Sequence, residues 1–284
     1  MNRNIFTTSF AIIFAILFGA TPIFAFAQAA DHVLDLTVEA KIAMDGTTQV
    51  TEDVLYDFGA SEHHGIYRNL PTHVQEGADS RAFGITDITV TDKTGKVVPF
   101  EVLNQGTYMR IKIGDPDKLI TGLQEYRIAY SAKSLIRAFP DNDIWEWDAT
   151  SSNWPVTIRR ARLSVVFPKE FAMGSIAKSC VTEVGGKPNT HETCQVGFLD
   201  KTASGTTRSI QFMDPELMQP KESMLVQLAF PKGTFKGITK ATLPKAQTKS
   251  PHPLKIVFAT IMLIALAQIA RHIIARKYPR LVKG

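Results

Sequence analysis

Cysteine is almost absent: the 284-residue chain carries two, Cys180 and Cys194. Two thiolates, even counted with the nearby His191, fall short of the four ligands of a structural zinc site. In an oxidising compartment the pair is expected to form a disulfide. Its loop of about 15 residues would contribute roughly 3 kcal/mol in the chain-entropy picture, and the turn-like Val184-Gly185-Gly186-Lys187-Pro188-Asn189 would bring its ends together. Two free thiols, or a metal site with His191, are the alternatives. The sequence also lacks a nucleophile elbow, a zinc-protease motif and a phosphate-binding glycine loop. No segment between the two ends sustains a 3.6-residue period over three turns, which excludes a helical fold there. Acidic residues are missing from both termini, since all 27 Asp and Glu lie between Asp31 and Glu222.

The charge balance follows from that absence. The whole chain carries +5, but Arg3 and the six cations from Lys255 onward account for the excess. The part between them holds 25 Lys and Arg against 27 acids, a net of −2. Residues 233–253 add four of those lysines and no acid. Nucleic-acid binding needs a concentrated basic face, and none is present, so nucleic acid is excluded as a partner.

The long hydrophobic material lies at the ends. Leu254 to Ile274 contains an uncharged stretch, Ile256 to Ala270, bracketed by Lys255 and Arg271. Spanning a bilayer takes about 20 apolar residues, and the two bracketing cations can snorkel outward to extend a short span. The tail beyond carries Arg276, Lys277, Arg280 and Lys283, the cytoplasmic signature of the positive-inside rule. A buried core helix is the competing reading, and it does not account for that tail. At the other end Arg3 precedes Phe10 to Phe18, and small residues follow at Ala25-Phe26-Ala27 and Ala27-Gln28-Ala29. This is the layout of a secretory signal peptide, or of an uncleaved signal anchor. The expected organisation is a signal at 1–27, an exported domain at 28–232, a flexible stalk at 233–253, a transmembrane helix at 254–274 and a basic cytoplasmic tail at 275–284.

Inside the exported part the pattern is that of strands. Leu34, Leu36, Val38, Ala40 and Ile42 alternate with Asp35, Thr37, Glu39 and Lys41, the period of a half-buried strand. Met44-Asp45-Gly46-Thr47 supplies a hairpin turn. The returning strand places Val50, Val54, Tyr56 and Phe58 on one face, interrupted by Glu52. The segment from Glu62 through Pro71 reads as non-repetitive. Short strands then follow between turns, through Tyr126-Ile128-Tyr130 and Ala161-Leu163-Val165-Phe167 to Met224-Val226-Leu228-Phe230. The fold class is all-β, an immunoglobulin-like β-sandwich. Periodicity leaves open whether it forms one unit or two lobes divided near residue 139.

Val50-Thr51-Glu52, Gly65-Ile66-Tyr67-Arg68-Asn69-Leu70-Pro71, Tyr126-Arg127-Ile128-Ala129-Tyr130, Ile144-Trp145-Glu146-Trp147 with Trp154-Pro155-Val156, the cysteine pair, and Phe230-Pro231-Lys232-Gly233 occur in that order. Their succession resembles the predicted membrane proteins of domain-of-unknown-function family 2207, over roughly Asp31 to Thr234. The resemblance implies an exported β-rich domain followed by a membrane span, and no particular reaction.

The candidate sites are few. A carboxylate at Glu52 on a core face needs a partner, and Arg68, turning inward after Gly65, is expected to supply it. The functional alternative is a carboxyl with a raised pKa acting as acid or base. Glu62, His63, His64 and His73 suggest a metal site, but neighbours on a strand point to opposite faces, and no metal or other cofactor is expected. Trp145, Trp147 and Trp154 read either as core or as a platform for sugars. With Gly65, Ile66, Tyr67 and Arg68 they form the candidate binding surface. The expected function is a single-pass, membrane-anchored extracytoplasmic binding module, with the lipid bilayer and an envelope protein or glycan as partners. The alternative is an envelope hydrolase built around Glu52 and the Gly65–Pro71 segment.

Overall fold

The computed structural model describes residues 31–240, apart from 77–78, 152, 185–186 and 215. The signal at 1–27, the transmembrane helix at 254–274 and the tail at 275–284 lie outside the described residues. Among the described residues no helix is long and apolar enough to cross a membrane.

The chain is all-β. Its strands are β1 His32–Ile42, β2 Thr48–Asp57, β3 Gly65–Pro71, β4 His73–Glu76, β5 Asp79–Ala82, β6 Gly84–Thr91, β7 Phe100–Asn104, β8 Tyr108–Gly114, β9 Leu123–Lys133 and β10 Ile136–Ala138. They continue as β11 Asn142–Asp148, β12 Thr157–Ile158, β13 Ala161–Ala172, β14 Ala177–Val184, β15 Lys187–Thr193, β16 Gln195–Phe198, β17 Thr206–Met213, β18 Glu222–Pro231 and β19 Thr239–Lys240. An eight-stranded sheet runs β16-β17-β13-β1-β2-β9-β6, with β12 also on β1; a six-stranded sheet runs β15-β14-β18-β11-β10-β19. A three-stranded sheet, β3-β8-β7, and the β4-β5 hairpin complete the set.

The alternation in the sequence sets which side of each strand is buried. Leu36, Val38, Ala40 and Ile42 of β1 face Val50 and Val54 of β2 across an antiparallel ladder, and all are buried. The other edge of β1 pairs in parallel with β13, Leu36 opposite Ala161 and Ala40 opposite Val165. A parallel neighbour brings together residues far apart in the chain. The two larger sheets meet through buried side chains: the Trp145 indole donates to Thr48 Oγ1 at 3.1 Å, and Phe167 and Phe230 pack edge to face at 5.4 Å. Each such large apolar side chain taken from water contributes about 1.5–3 kcal/mol.

Three expectations change. First, the alternative left open at residue 139 narrows: among the described residues, both sides of that position contribute to the two larger sheets and to one continuous core. Second, Gly65–Pro71 is strand β3 rather than a non-repetitive loop. The reason is a close glycine approach: Gly65 and Gly114 sit opposite each other with φ of +146° and +132°. A Cβ on Gly65 would lie 1.8 Å from the Ile113 carbonyl oxygen, and one on Gly114 would lie 1.9 Å from that of His64. Third, the fold does not stop at residue 232. Thr234 and Phe235 are buried, Lys236 N donates to Met44 O at 2.9 Å, and β19 pairs in parallel with β10. Phe235 packs edge to face on Phe230, which explains why the segment stays on the domain.

Candidate functional site

The alternation of β2 that buries Val50 and Val54 also buries Glu52, whose exposure is 0%. A carboxylate so placed requires charge and hydrogen-bond partners. Arg68 of β3, itself buried, provides a bidentate pair: Nε donates to Oε2 at 2.6 Å and Nη2 to Oε1 at 2.8 Å. The Tyr130 hydroxyl of β9 donates to Oε1 at 2.7 Å. Arg68 Nη1 donates to the carbonyls of Asn69, at 3.1 Å, and Thr150, at 3.0 Å. Thr150 in turn accepts from Met224 N through Oγ1 at 2.9 Å, and the Trp154 ring lies 5.5 Å from the guanidinium carbon. One buried network thus ties together β2, β3, β9, β18 and the segment after β11.

The electrostatics follow from this packing. Burial works against the guanidinium charge, but the charge and hydrogen bonds of Glu52 outweigh it and raise the Arg68 pKa. Burial, then the Glu52 charge, push the Tyr130 hydroxyl well above its ordinary value. Both Glu52 oxygens are occupied by Arg68 and Tyr130, and neither meets solvent. The network does the work of a lock, holding the small sheet to the large one.

The opposite face of the small sheet is partly exposed: Lys112 is exposed, Tyr108 and Arg110 are half-buried and Asn69 is buried. Alternation along β3 points Tyr67 outward, with 52% of its surface exposed. On β8, Tyr108, Arg110 and Lys112 point the same way, with Lys112 directly opposite Tyr67. The Arg110 guanidinium lies 5.0 Å from the Tyr67 ring centroid and 5.7 Å from that of Tyr108, and its Nε donates to Asn69 Oδ1 at 2.9 Å. Two rings and an amide therefore hold one arginine in a fixed pose at the surface. Sequence reasoning missed Arg110, Tyr108, Asn69, Tyr130 and Thr150. The i, i+2, i+4 spacing of Tyr108, Arg110 and Lys112 was the available signal for the outer face.

The other candidates separate. Trp145, Trp147 and Trp154 are buried, as are Ile66 and Arg68, so the sugar platform is corrected: these rings fill the space between sheets. Of the residues grouped as a binding surface, Tyr67 is well exposed and Gly65 half-buried. The histidines diverge, His63 Nε2 to Asp31 at 2.9 Å, His64 Nδ1 to the Lys118 carbonyl at 3.0 Å and His73 to Thr72. Among the described residues no group of three or more His, Cys, Asp or Glu is placed to hold a metal. Cys180 and Cys194 are joined in a disulfide, with Cα atoms 5.6 Å apart, which leaves no thiolate for a metal site with His191. An open depression of about 470 Å³ beside Asp31, Thr157 and Leu217 contains none of the residues of the lock or of the tyrosine–arginine face.

Comparison with known proteins gives a family. The model described as "Predicted membrane protein (DUF2207) N-terminal domain" matches residues 32–213. The chain is 28% identical over 133 residues to "Uncharacterized protein YciQ" of Escherichia coli (strain K12), a match covering 46% of this chain and 21% of that protein. The chain therefore spans about a fifth of that relative's length. Among solved structures, native yeast LTA4 hydrolase is similar with a TM-score of 0.43 at 6% identity, over 70% of this chain and 29% of that one. An M1 zinc metallopeptidase from Deinococcus radiodurans gives 0.38 at 8% identity, over 70% and 42%. Likenesses at this level carry no argument about activity.

Proposed function

The chain belongs to the DUF2207 family of predicted membrane proteins, and from that premise we propose that it is a membrane-anchored extracytoplasmic interaction module. In this reading an immunoglobulin-like β-sandwich is exported behind a signal peptide. A single helix at 254–274 holds it to the membrane, with the C-terminus in the cytoplasm. The acid-free basic tail supports the orientation, and the Cys180–Cys194 disulfide is the bond expected of an oxidising compartment. The observation that carries the binding role is Arg110 held between Tyr67 and Tyr108 on a partly exposed strand face. Tyr and Arg dominate binding hot spots, and an arginine already ordered by its neighbours loses little freedom when a partner docks. The partner is an envelope protein or a glycan meeting this face.

The test is photo-crosslinking in cells, with a photoreactive residue replacing Tyr67 and, as control, the exposed Val97. A discrete adduct at position 67, absent at 97 and abolished by Arg110→Ala, supports the assignment. Glycosidase digestion of the adduct separates glycan from protein. Equal labelling at both positions, or none at 67, rejects the face.

A further inference from the structure

The chain leaves the described domain at one end of its sheets, and that end has its own chemistry. The β1–β2 turn, the start of β10 and residues 232–240 meet there. Gly46 is packed so closely on Ile238 that a Cβ would lie 2.7 Å from its methyl carbon, and Lys236 N bonds Met44 O. Met44 stands at the tip of the turn with 40% of its surface exposed. Beside it are the exposed Lys133 and Lys236, with Asp45 next to it in the same turn, while Lys41 pairs with Glu39 at 2.6 Å and Lys232 lies 3.7 Å from Asp143. Thirteen residues separate Lys240 from Leu254, and they include Lys245 and Lys249. That length of chain reaches about 45 Å at full extension, so this end lies within about 45 Å of the bilayer if residues 254–274 span it. The end from which the chain continues toward residues 254–274 thus presents an exposed Met44 with two lysines unpaired among the described residues, Lys133 and Lys236, against one exposed acid, Asp45.

We infer that this end docks on an anionic phospholipid surface, with Met44 entering the interface and the lysines meeting lipid phosphates. The inference rests on the single-helix anchor proposed above. It makes that anchor more than a tether, because docking fixes the domain's orientation and turns other faces, the tyrosine–arginine face included, toward the envelope. Each lysine brought to an anionic surface favours the docked state by about fivefold, and salt screens that attraction.

The test uses the full chain with Met44→Cys carrying an environment-sensitive fluorophore, reconstituted in nanodiscs of phosphatidylcholine alone or mixed with phosphatidylglycerol. Docking predicts brighter, blue-shifted emission in the anionic discs, reversed by molar salt. Lys133→Glu with Lys236→Glu should lower the docked-to-free ratio at least about tenfold. Lys93→Glu with Lys96→Glu, in the β6–β7 turn at the opposite end, should leave it unchanged. Emission that is the same in both discs, from a chain that co-elutes with them, overturns docking while the anchor stands. A chain that does not co-elute with discs at all overturns the anchor.

Discussion

Arg68 and Arg110 belong to paired strands of one small sheet, and each has an aromatic ring and a carbonyl oxygen beside it, yet they have opposite uses. Arg68 points inward and spends its hydrogen bonds on Glu52 and two backbone carbonyls, all out of reach of solvent. Arg110 points outward and is held by Tyr67, Tyr108 and Asn69, half-buried on the outer face. The residue type says little about role; the parity of its position on the strand decides it. A buried arginine that is fully paired is part of the frame, whereas the half-buried one held still on the outer face is the group on which the proposed binding role rests.

The sharpest way to break the comparison is to remove one member of the buried pair. Glu52→Ala should cost about 3–5 kcal/mol, because it leaves a guanidinium buried without its counter-charge. Urea unfolding should also show that Glu52→Ala combined with Arg68→Met costs less than the sum of the two single changes. Next in size is Gly65→Ala, which sets a Cβ against the Ile113 carbonyl at a positive φ. Overpacking and backbone strain together should cost about 2–4 kcal/mol and detach β3 from β8, read as faster amide exchange in both strands.

Tyr130→Phe removes a hydrogen bond to a charged acceptor and should cost about 1.5–3 kcal/mol. It also carries a pH signature. A tyrosine whose folded pKa is raised binds its proton longer in the folded state, so its contribution is complete below pH about 10 and fades above it. Tyr126, pushed up to about 12 by burial, adds to the same alkaline loss between 10 and about 12. The unfolding midpoint should fall as pH rises above 10, and less steeply in Tyr130→Phe. The smallest effect belongs to the outer face: Arg110→Ala, which removes two ring contacts and the partner of Asn69, should cost about 1 kcal/mol while abolishing the adduct at position 67. A large stability loss there would erase the distinction between the two arginines.

Much of the frame was legible because it is local. The alternation around Leu36 and Val38 marks β1, and Glu52 in the apolar series of β2 announces a carboxylate in need of a partner. Arg68 could be named because the chain turns back at Gly65. What was illegible depends on residues far apart. Tyr130 reaches Glu52 only because β9 lies beside β2, and Thr150 meets Arg68 from the segment that follows β11. The β3 strand was hidden because Arg68, Asn69 and Leu70 are all buried in succession, which erases the alternation that identifies a strand. The tryptophans read ambiguously since a ring at i, i+2 spacing suits a core and a platform equally; only the facing sheet decides. Residues 234–240 resemble a linker in composition, and Phe235 alone signals that they remain attached.

The parallel pairing of β1 with β13 has a consequence for biogenesis. In any N-to-C synthesis or translocation β1 finds β2 at once, through a five-residue connection. Its other edge stays unsatisfied until residues near 161–166 arrive. Until then the nascent chain presents an open strand edge in the middle of what will be its largest sheet, and open edges recruit other chains. Closing so distant a contact is also slow. Chains truncated before β13 should therefore aggregate or be degraded, whereas those cut after β18 should hold together. The order of synthesis, rather than the strength of any single contact, sets the moment at which this protein becomes safe in a crowded compartment.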